Sequence, residues 1–170
     1  KLTATGTKDA TTFLRGDNSF AEAGSDFTPN FLAYQSSDQA LASNTETRLV
    51  LDTEVYDSDT AFTNTSGNYK FTIPSDEAGK YVLYYSVRRA SFAGTRWYAS
   101  IKRTRSGSET TLVVGEQKGG ADGYDNITNF IVTDCLVGDT FHIITLHQDS
   151  GSRSLQSGSH STFFGGYKLV

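Results

Sequence analysis

The sequence predicts an all-β protein folded as a jelly-roll sandwich, and three observations support this prediction. The 170 residues include eleven Phe, nine Tyr and sixteen Gly but only two Pro, a composition typical of short strands joined by polar turns. No segment keeps the 3.6-residue apolar period of an amphipathic helix. Residues 67–87 contain two strand patterns in succession, separated by a turn that holds one of the two prolines.

The strand patterns of residues 67–87 indicate how the chain packs. Tyr69, Phe71 and Ile73 alternate with polar residues, which predicts a strand with one buried and one solvated face. Residues 81–87 are apolar or aromatic at both parities, so both faces of this strand are expected to contact protein. A single sandwich core covers only one face, and a neighbouring subunit would cover the other.

Further strands of the same kind complete the sandwich. The nine predicted strands are 31–34, 48–56, 68–73, 80–88, 96–103, 110–115, 126–134, 140–147 and 162–169. Three long polar stretches between them are predicted loops, namely 36–47, 115–125 and 148–161. Loops on a rigid sandwich commonly hold the binding residues of a protein.

Five motifs, in order, resemble the jelly-roll family that includes complement C1q heads and tumour necrosis factor (TNF). The central one is the strand, proline turn, Gly-x-Tyr and aromatic strand of residues 67–87. The others are Leu51, Asp52, Thr53, Val55, Tyr56, Asp57 and Phe62 upstream, and residues 126–132, 138–141 and 161–167 downstream. The resemblance covers roughly residues 31–170, and only the ending Gly-Tyr-Lys-Leu-Val departs from the more hydrophobic finish of the family. It implies a C1q/TNF-like jelly roll assembled as a homotrimer.

The aromatic residues are assigned to the core and to subunit contacts. The predicted trimer interface comprises residues of the doubly apolar strand and of the closing strand: Tyr81, Leu83, Tyr85, Phe163 and Tyr167. Trp97 and the tyrosines would also suit stacking on sugar rings. Aromatic residues at strand period in an all-β chain pack more often in cores and interfaces.

The chain is expected to divide into an extended connector, residues 1–26, and a C1q/TNF-like head domain, residues 27–170. The connector carries too few apolar residues to fold alone. Residues 4–7 followed by residues 11–21 resemble a segment of bacteriophage tail-fibre and other virion appendage proteins. This resemblance implies an extracellular place on a virion and contacts with other virion proteins. Arg15-Gly16-Asp17 is interpreted as a turn rather than an integrin-binding signal. The absence of methionine suggests a processed or partial chain.

A basic segment provides the candidate receptor site. Residues 88–105 hold six of the fifteen basic residues and no acidic ones. Arg96, Ser100 and Lys102 share parity with Tyr98 and are expected to form one wet face of a strand. The predicted contacts to an anionic host glycan or phosphate are Arg88, Arg89, Arg96, Lys102 and Arg103. A solvated face, or pairing with acids of a neighbouring subunit, is the alternative.

Catalytic patterns are weak. Cleavage of a host polysaccharide would need two positioned carboxylates, but pairs such as Asp57 with Asp59 are expected by chance among nineteen acidic residues. No Gly-x-Ser-x-Gly nucleophile elbow is present. No enzymatic activity is therefore predicted.

Metal and cysteine chemistry are also weakly indicated, and no cofactor is predicted. His142 and His147 lie five apart on one strand, so they project to opposite faces and cannot chelate one ion from it. Some members of the resembled family bind calcium through loop acids, and Asp122 with Asp125 would be the nearest fit. Cys135 is the single cysteine and is expected to pack as a small hydrophobe.

These features predict a non-enzymatic trimeric knob of a phage tail or head fibre that binds a glycan or protein of the host cell surface. The alternative is a purely structural virion protein, a trimerisation head or capsid decoration without a specific receptor. A secreted bacterial adhesin would share the fold but not the connector. The net charge of −4 argues against nucleic acid as a partner, and no apolar run reaches the roughly 20 residues of a membrane helix.

Overall fold

The structure, a computed structural model, describes residues 5–6, 12–14, 16, 19–22, 29–90, 96–118 and 123–169. All regular elements in these ranges are β-strands: β1 (Thr12–Leu14), β2 (Phe20–Glu22), β3 (Asn30–Tyr34), β4 (Gln39–Leu41), β5 (Thr47–Arg48), β6 (Thr53–Asp57), β7 (Phe62–Thr63), β8 (Lys70–Thr72), β9 (Gly79–Ala90), β10 (Arg96–Arg105), β11 (Ser108–Lys118), β12 (Tyr124–Cys135), β13 (Thr140–His147), β14 (Arg153–Leu155) and β15 (Phe163–Lys168). The described ranges contain no helix able to cross a membrane. The all-β prediction is confirmed.

Strands β3 to β15 form two antiparallel sheets that pack face to face. The six-stranded sheet has the order β11-β10-β13-β8-β7, with β5 also paired to β13. The seven-stranded sheet has the order β4-β14-β9-β15-β3-β6, with β12 paired along the other edge of β9. Strands distant in sequence are therefore neighbours in both sheets, as expected for a jelly roll.

Aromatic side chains from both sheets form the core. Phe31 of β3 stacks on Phe71 of β8 with ring centroids 4.3 Å apart, and Phe164 of β15 meets Phe31 edge-on at 5.0 Å. Burial of each such side chain stabilises the fold by about 2–3 kcal/mol. Because Phe31 and Phe71 belong to different sheets, their contact holds the two layers together.

The prediction of one strand at residues 48–56 is wrong. This segment contributes β5 to the six-stranded sheet and β6 to the seven-stranded sheet. Leu49 and Leu51 lie between the two strands and are fully buried, because the chain passes from one sheet to the other here. The other eight predicted strands correspond to β3, β8 to β13 and β15, with ends that differ by a few residues.

Two predicted loops contain short strands. β4 lies within residues 36–47 and β14 within residues 148–161, and these two strands pair with each other. Leu41 and Leu155 anchor them and are buried. Isolated leucines in polar stretches have no period, so the sequence pattern did not indicate these strands.

The described part of residues 1–26 contains a short hairpin. β1 and β2 pair antiparallel, with Phe13 opposite Ala21. Gly16 lies in a turn between them. Arg15 and Asp17 lie outside the described residues.

Candidate binding surfaces

The predicted wet face of β10 lines a pocket. Arg96, Tyr98, Ser100 and Lys102 project from the outer face of the six-stranded sheet, whereas the side chains between them belong to the core. Together with Glu46, Thr111 and Val114, these four residues surround a cavity of about 220 Å³. We call this cavity the outer pocket.

The cations of the outer pocket are paired within the chain. Arg96 binds Glu116 through two parallel hydrogen bonds of 2.8 and 2.9 Å, and this contact holds the pKa of the Glu116 carboxyl below its usual range. The Lys102 ammonium lies 3.9 Å from Glu46 Oε1, and the Tyr98 hydroxyl donates a hydrogen bond of 2.7 Å to the same oxygen. Burial, together with this bond, raises the pKa of Tyr98 to about 12.

Sequence reasoning missed Glu46. This residue lies in a predicted loop far from β10 in the chain. Its position beside β10 follows from the pairing of β5 with β13, where Arg48 is the register partner of Ile144. Spacing in the sequence carries no signal for a contact made by a crossover between sheets.

The prediction that Arg89 contacts a receptor is wrong. Its side chain is fully buried, with the guanidinium 2.9 Å from Asp149 and 3.8 Å from Asp125. The guanidinium also lies over the Trp97 ring, 4.5 Å from the centroid. Burial lowers the pKa of Arg89, while Asp149 opposes that effect. Arg89 is a structural cation that joins β9 to β12 and to the segment before β14.

Arg88 and Arg103 also lie away from the outer pocket. Arg88 belongs to the seven-stranded sheet, and its guanidinium lies 4.7 Å from the centroid of the Tyr124 ring. Arg103 is half-buried on the other face of β10 from Lys102. The five predicted contacts are thus divided among separate environments, and only Arg96 and Lys102 share a site.

The prediction that Tyr81, Leu83 and Tyr85 contact a neighbouring subunit is wrong. All three are fully buried within one chain, as members of the core. They project from β9 towards the six-stranded sheet. The alternate residues Val82 and Tyr84 are half-buried and project to the outer face of the seven-stranded sheet.

An apolar row crosses this outer face. Directly paired residues share one face of a sheet, and the partners across five strands are Phe130, Tyr84, Gly165, Leu32 and Tyr56. Phe130 is 65% exposed and Tyr56 is 44% exposed. Gly165 leaves space for the Tyr84 ring, which would lie 2.6 Å from a Cβ at that position.

Flanking residues widen the row into a surface that we call the apolar outer face. Val132, Val82 and Tyr167 are register partners on one side of the row, and Phe163 and Tyr34 are partners on the other. The predicted interface residues Phe163 and Tyr167 therefore lie on this face, and their role in an interface stays a prediction. The Phe163 ring packs edge-on against Tyr84 at 6.3 Å.

Charged groups occur at two ends of the apolar outer face. Beyond Val82 and Val132, Lys80 pairs with Asp134 at 3.4 Å. Beyond the Phe163 side, Arg88 lies over Tyr124. The surface thus has an apolar centre with charged groups at its ends.

Metal binding receives no support from the part of the chain that the structure describes, where no group of three or more His, Cys, Asp or Glu could hold an ion. Asp122 lies outside the described residues, and Asp125 faces the buried Arg89. Cys135 is buried, and burial raises the pKa of its thiol to about 12. The thiol therefore stays protonated at neutral pH and packs as a small side chain.

Comparison with solved structures identifies the fold. Murine APRIL aligns over 82% of this chain and 99% of its own, with a TM-score of 0.63 and 16% identity. Eiger TNF from S. frugiperda aligns over 84% of this chain and 94% of its own, with a TM-score of 0.62 and 14% identity. The globular domain of zebrafish complement 1qA aligns over 84% of this chain and 98% of its own, with a TM-score of 0.62 and 15% identity. The fold is a C1q/TNF-like jelly roll.

No protein-family model and no curated protein sequence matches the chain. At 14–16% identity to these structures, the C1q/TNF-like likeness establishes the arrangement of strands alone. One fold supports many functions.

Proposed function

We propose that this C1q/TNF-like chain is a non-enzymatic head domain that assembles as a homotrimer and binds the surface of a cell. The apolar outer face is the observation that carries the proposal. A contiguous apolar surface is uncommon on a monomer and marks an interaction site. Its apolar centre and charged ends match the anatomy of a subunit interface.

A second copy of the same chain is the proposed occupant of this face. The resemblance of residues 31–170 to the C1q and TNF family implies a trimer, and closed rings of identical subunits are the common solution for self-association. The aromatic residues Phe130, Tyr84 and Phe163 are of the kind that anchors such interfaces. Burial of Phe130 alone would stabilise the assembly by about 2 kcal/mol.

The proposed context is a bacteriophage fibre whose head binds the host surface outside the cell. Support comes from residues 11–21, which resemble a module of virion appendages. Three linked copies of a weak site raise the overall affinity by about 10²–10⁴ through avidity. The connector would join the head to other virion proteins.

A purely structural head is the second candidate. The observation that favours it is the pairing of Arg96 with Glu116 inside one chain, which neutralises a cation of the segment predicted to meet an anionic receptor. In that case the head would only hold three fibre chains together.

Competition for phage adsorption tests the proposal. The purified chain is added to host cells before the phage that carries it, beside two lysine variants of equally exposed valines. Val132 is 51% exposed on the apolar outer face, and Val137 is 53% exposed in the turn after β12. We expect wild type and Val137→Lys to block adsorption, and Val132→Lys, unable to trimerise, to need about 100-fold more protein.

The outcome separates the two candidates. If the wild-type chain is trimeric and leaves adsorption unchanged at saturating concentration, receptor binding is rejected and the structural role remains. If Val132→Lys blocks adsorption as well as wild type does, self-association through this face is not needed for binding.

A further inference from the structure

We infer that the outer pocket binds a neutral, hydroxyl-rich sugar unit. This inference rests on the proposed function, since it names the class of receptor and the residues that hold it. It also replaces the anionic ligand expected from the basic segment.

The floor of the pocket has an unused hydrogen-bonding group. Ser100 is 1% exposed, and its Oγ has no hydrogen-bond partner among the described residues. Buried hydroxyls in native proteins are normally paired, so such a group needs a partner from outside the chain. Because Ser100 lines the cavity, a ligand hydroxyl that enters the pocket can either donate a hydrogen bond to this oxygen or accept one from it.

The charges around the pocket favour a neutral ligand. Arg96 is already paired with Glu116, and Lys102 lies beside Glu46, which lines the pocket, so an anion would meet the Glu46 carboxylate and a cation that is already engaged. A carboxylate accepts hydrogen bonds and a Lys or Arg cation donates them, so a ligand that contacts both must be able to do both. The hydroxyls of a sugar can donate and accept. The Lys102 ammonium and Glu46 are 3.9 Å apart, too far for a direct hydrogen bond. A ligand hydroxyl can therefore bridge them.

Apolar groups complete the pocket. Val114 is exposed beside Ser100, its register partner, and the Tyr98 ring is held in place by the Arg96 guanidinium, 5.2 Å from its centroid. These surfaces suit the C–H faces of a sugar ring. The volume of about 220 Å³ is smaller than the pockets of about 300–1,000 Å³ that hold drug-sized ligands, and it is of the size of a single ring.

The position of the pocket leaves it open in the proposed trimer. It lies on the outer face of the six-stranded sheet, and the apolar outer face belongs to the other sheet. The two surfaces are directed away from each other across the core. Three pockets would therefore be available together, and millimolar single-site binding would be strengthened by avidity.

Ligand-observed NMR on the whole chain tests the inference. The probes are glucose, galactose, N-acetylglucosamine and rhamnose, with N-acetylneuraminic acid and inorganic phosphate as anionic probes, each titrated to about 50 mM, well above a millimolar dissociation constant. We expect at least one neutral sugar to bind saturably. Ser100→Val and Glu46→Gln are each expected to weaken this binding about tenfold through lost hydrogen bonds.

Matched controls exclude a general effect on the sheet. Glu109 is exposed to the same degree as Glu46, 48% against 49%, and it lies outside the pocket, as does the exposed Ser108. The variants Glu109→Gln and Ser108→Val are expected to bind the sugar as wild type does. Glu46→Gln alters a half-exposed side chain, so the test does not depend on a change in the buried floor.

Three results would overturn the inference. These are no saturable binding of any neutral sugar, binding that both pocket variants leave unchanged, and saturation by phosphate or N-acetylneuraminic acid alone. If adsorption is still blocked by the wild-type chain in any of these cases, the receptor lies elsewhere and the proposed function stands. If the sugar binds and Ser100→Val still blocks adsorption fully, the pocket stands and its role in the proposed function is rejected.

Discussion

His142 is a buried ionisable residue that is held neutral. Its side chain is 2% exposed, with the Glu109 carboxylate 3.5 Å away. Burial first, and then the cations Arg48, Lys102 and Lys70, lower the pKa of this imidazole to about 4. The unfolded chain, with a histidine pKa of 6.5, therefore binds more protons than the folded chain between these two values.

This difference predicts that His142 destabilises the fold in acid. The folded-state pKa is depressed, so its contribution to stability is fully present above pH 6.5 and is lost as the pH falls towards 4. Replacement by Gln removes the titration. Between pH 6.5 and 4, the unfolding free energy of the wild-type chain should therefore fall by about 3 kcal/mol more than that of His142→Gln. Urea denaturation measures both values. His160→Gln, at an exposed histidine, is the control, and equal acid sensitivity of wild type and His142→Gln would contradict the account.

Arg89 shows what a sequence pattern can and cannot predict at one residue. Arg88 and Arg89 are adjacent in a basic segment, and composition alone treats them alike. Parity separates them, because Arg89 is in phase with Tyr85 and Val87 and these belong to the core. That signal was present in the sequence. The partner Asp149 is sixty positions away, and no pattern indicates that it compensates the buried charge.

Tyr85 of β9 joins the two sheets through its hydroxyl group. Its hydroxyl donates a 2.7 Å hydrogen bond to the Ala99 carbonyl and accepts a 3.1 Å bond from the Gly115 N–H. Ala99 and Gly115 are register partners in β10 and β11, so a side chain of the seven-stranded sheet is inserted into the ladder of the other. Burial raises the pKa of Tyr85 to about 12.

Tyr85→Phe should therefore destabilise the fold although it removes only one oxygen. The carbonyl and the N–H lose their shared partner inside the protein, which costs about 2 kcal/mol. The change in unfolding free energy is measured by urea denaturation. Tyr124→Phe, at a tyrosine that is 54% exposed, should change it by less than about 0.5 kcal/mol. Equal effects of the two substitutions would show that the bridging hydroxyl contributes nothing.

The strands were predictable to the extent that they have a period. The alternation of Tyr69, Phe71 and Ile73 predicts β8, and the doubly apolar pattern of β9 predicts protein on both its faces. Only the assignment of the two faces was wrong. Tyr81, Leu83 and Tyr85 were predicted to contact a subunit, whereas they fill the core. The strands β4 and β14 have a single buried leucine each, and two or three residues cannot show a period.

The two outer faces of the whole molecule differ in character. One is apolar, with Phe130 and Tyr84 in its central row, and the other is polar, with the outer pocket. The sequence predicted that some face would meet a subunit, but Phe130 and Val132 were not among the predicted interface residues because β12 is apolar at irregular positions. Their location on one surface depends on the register between β12 and β9, which is a property of the folded sheet.

The mass of the whole chain in solution, measured by light scattering after size exclusion, tests the central claim most directly. The monomer mass is 18.5 kDa. We predict a single species of three times this mass that persists on dilution to micromolar concentration, because obligate interfaces between identical subunits are predominantly apolar and stable. A folded species of 18.5 kDa would contradict the account, since the apolar outer face would then be stable in water without a second copy.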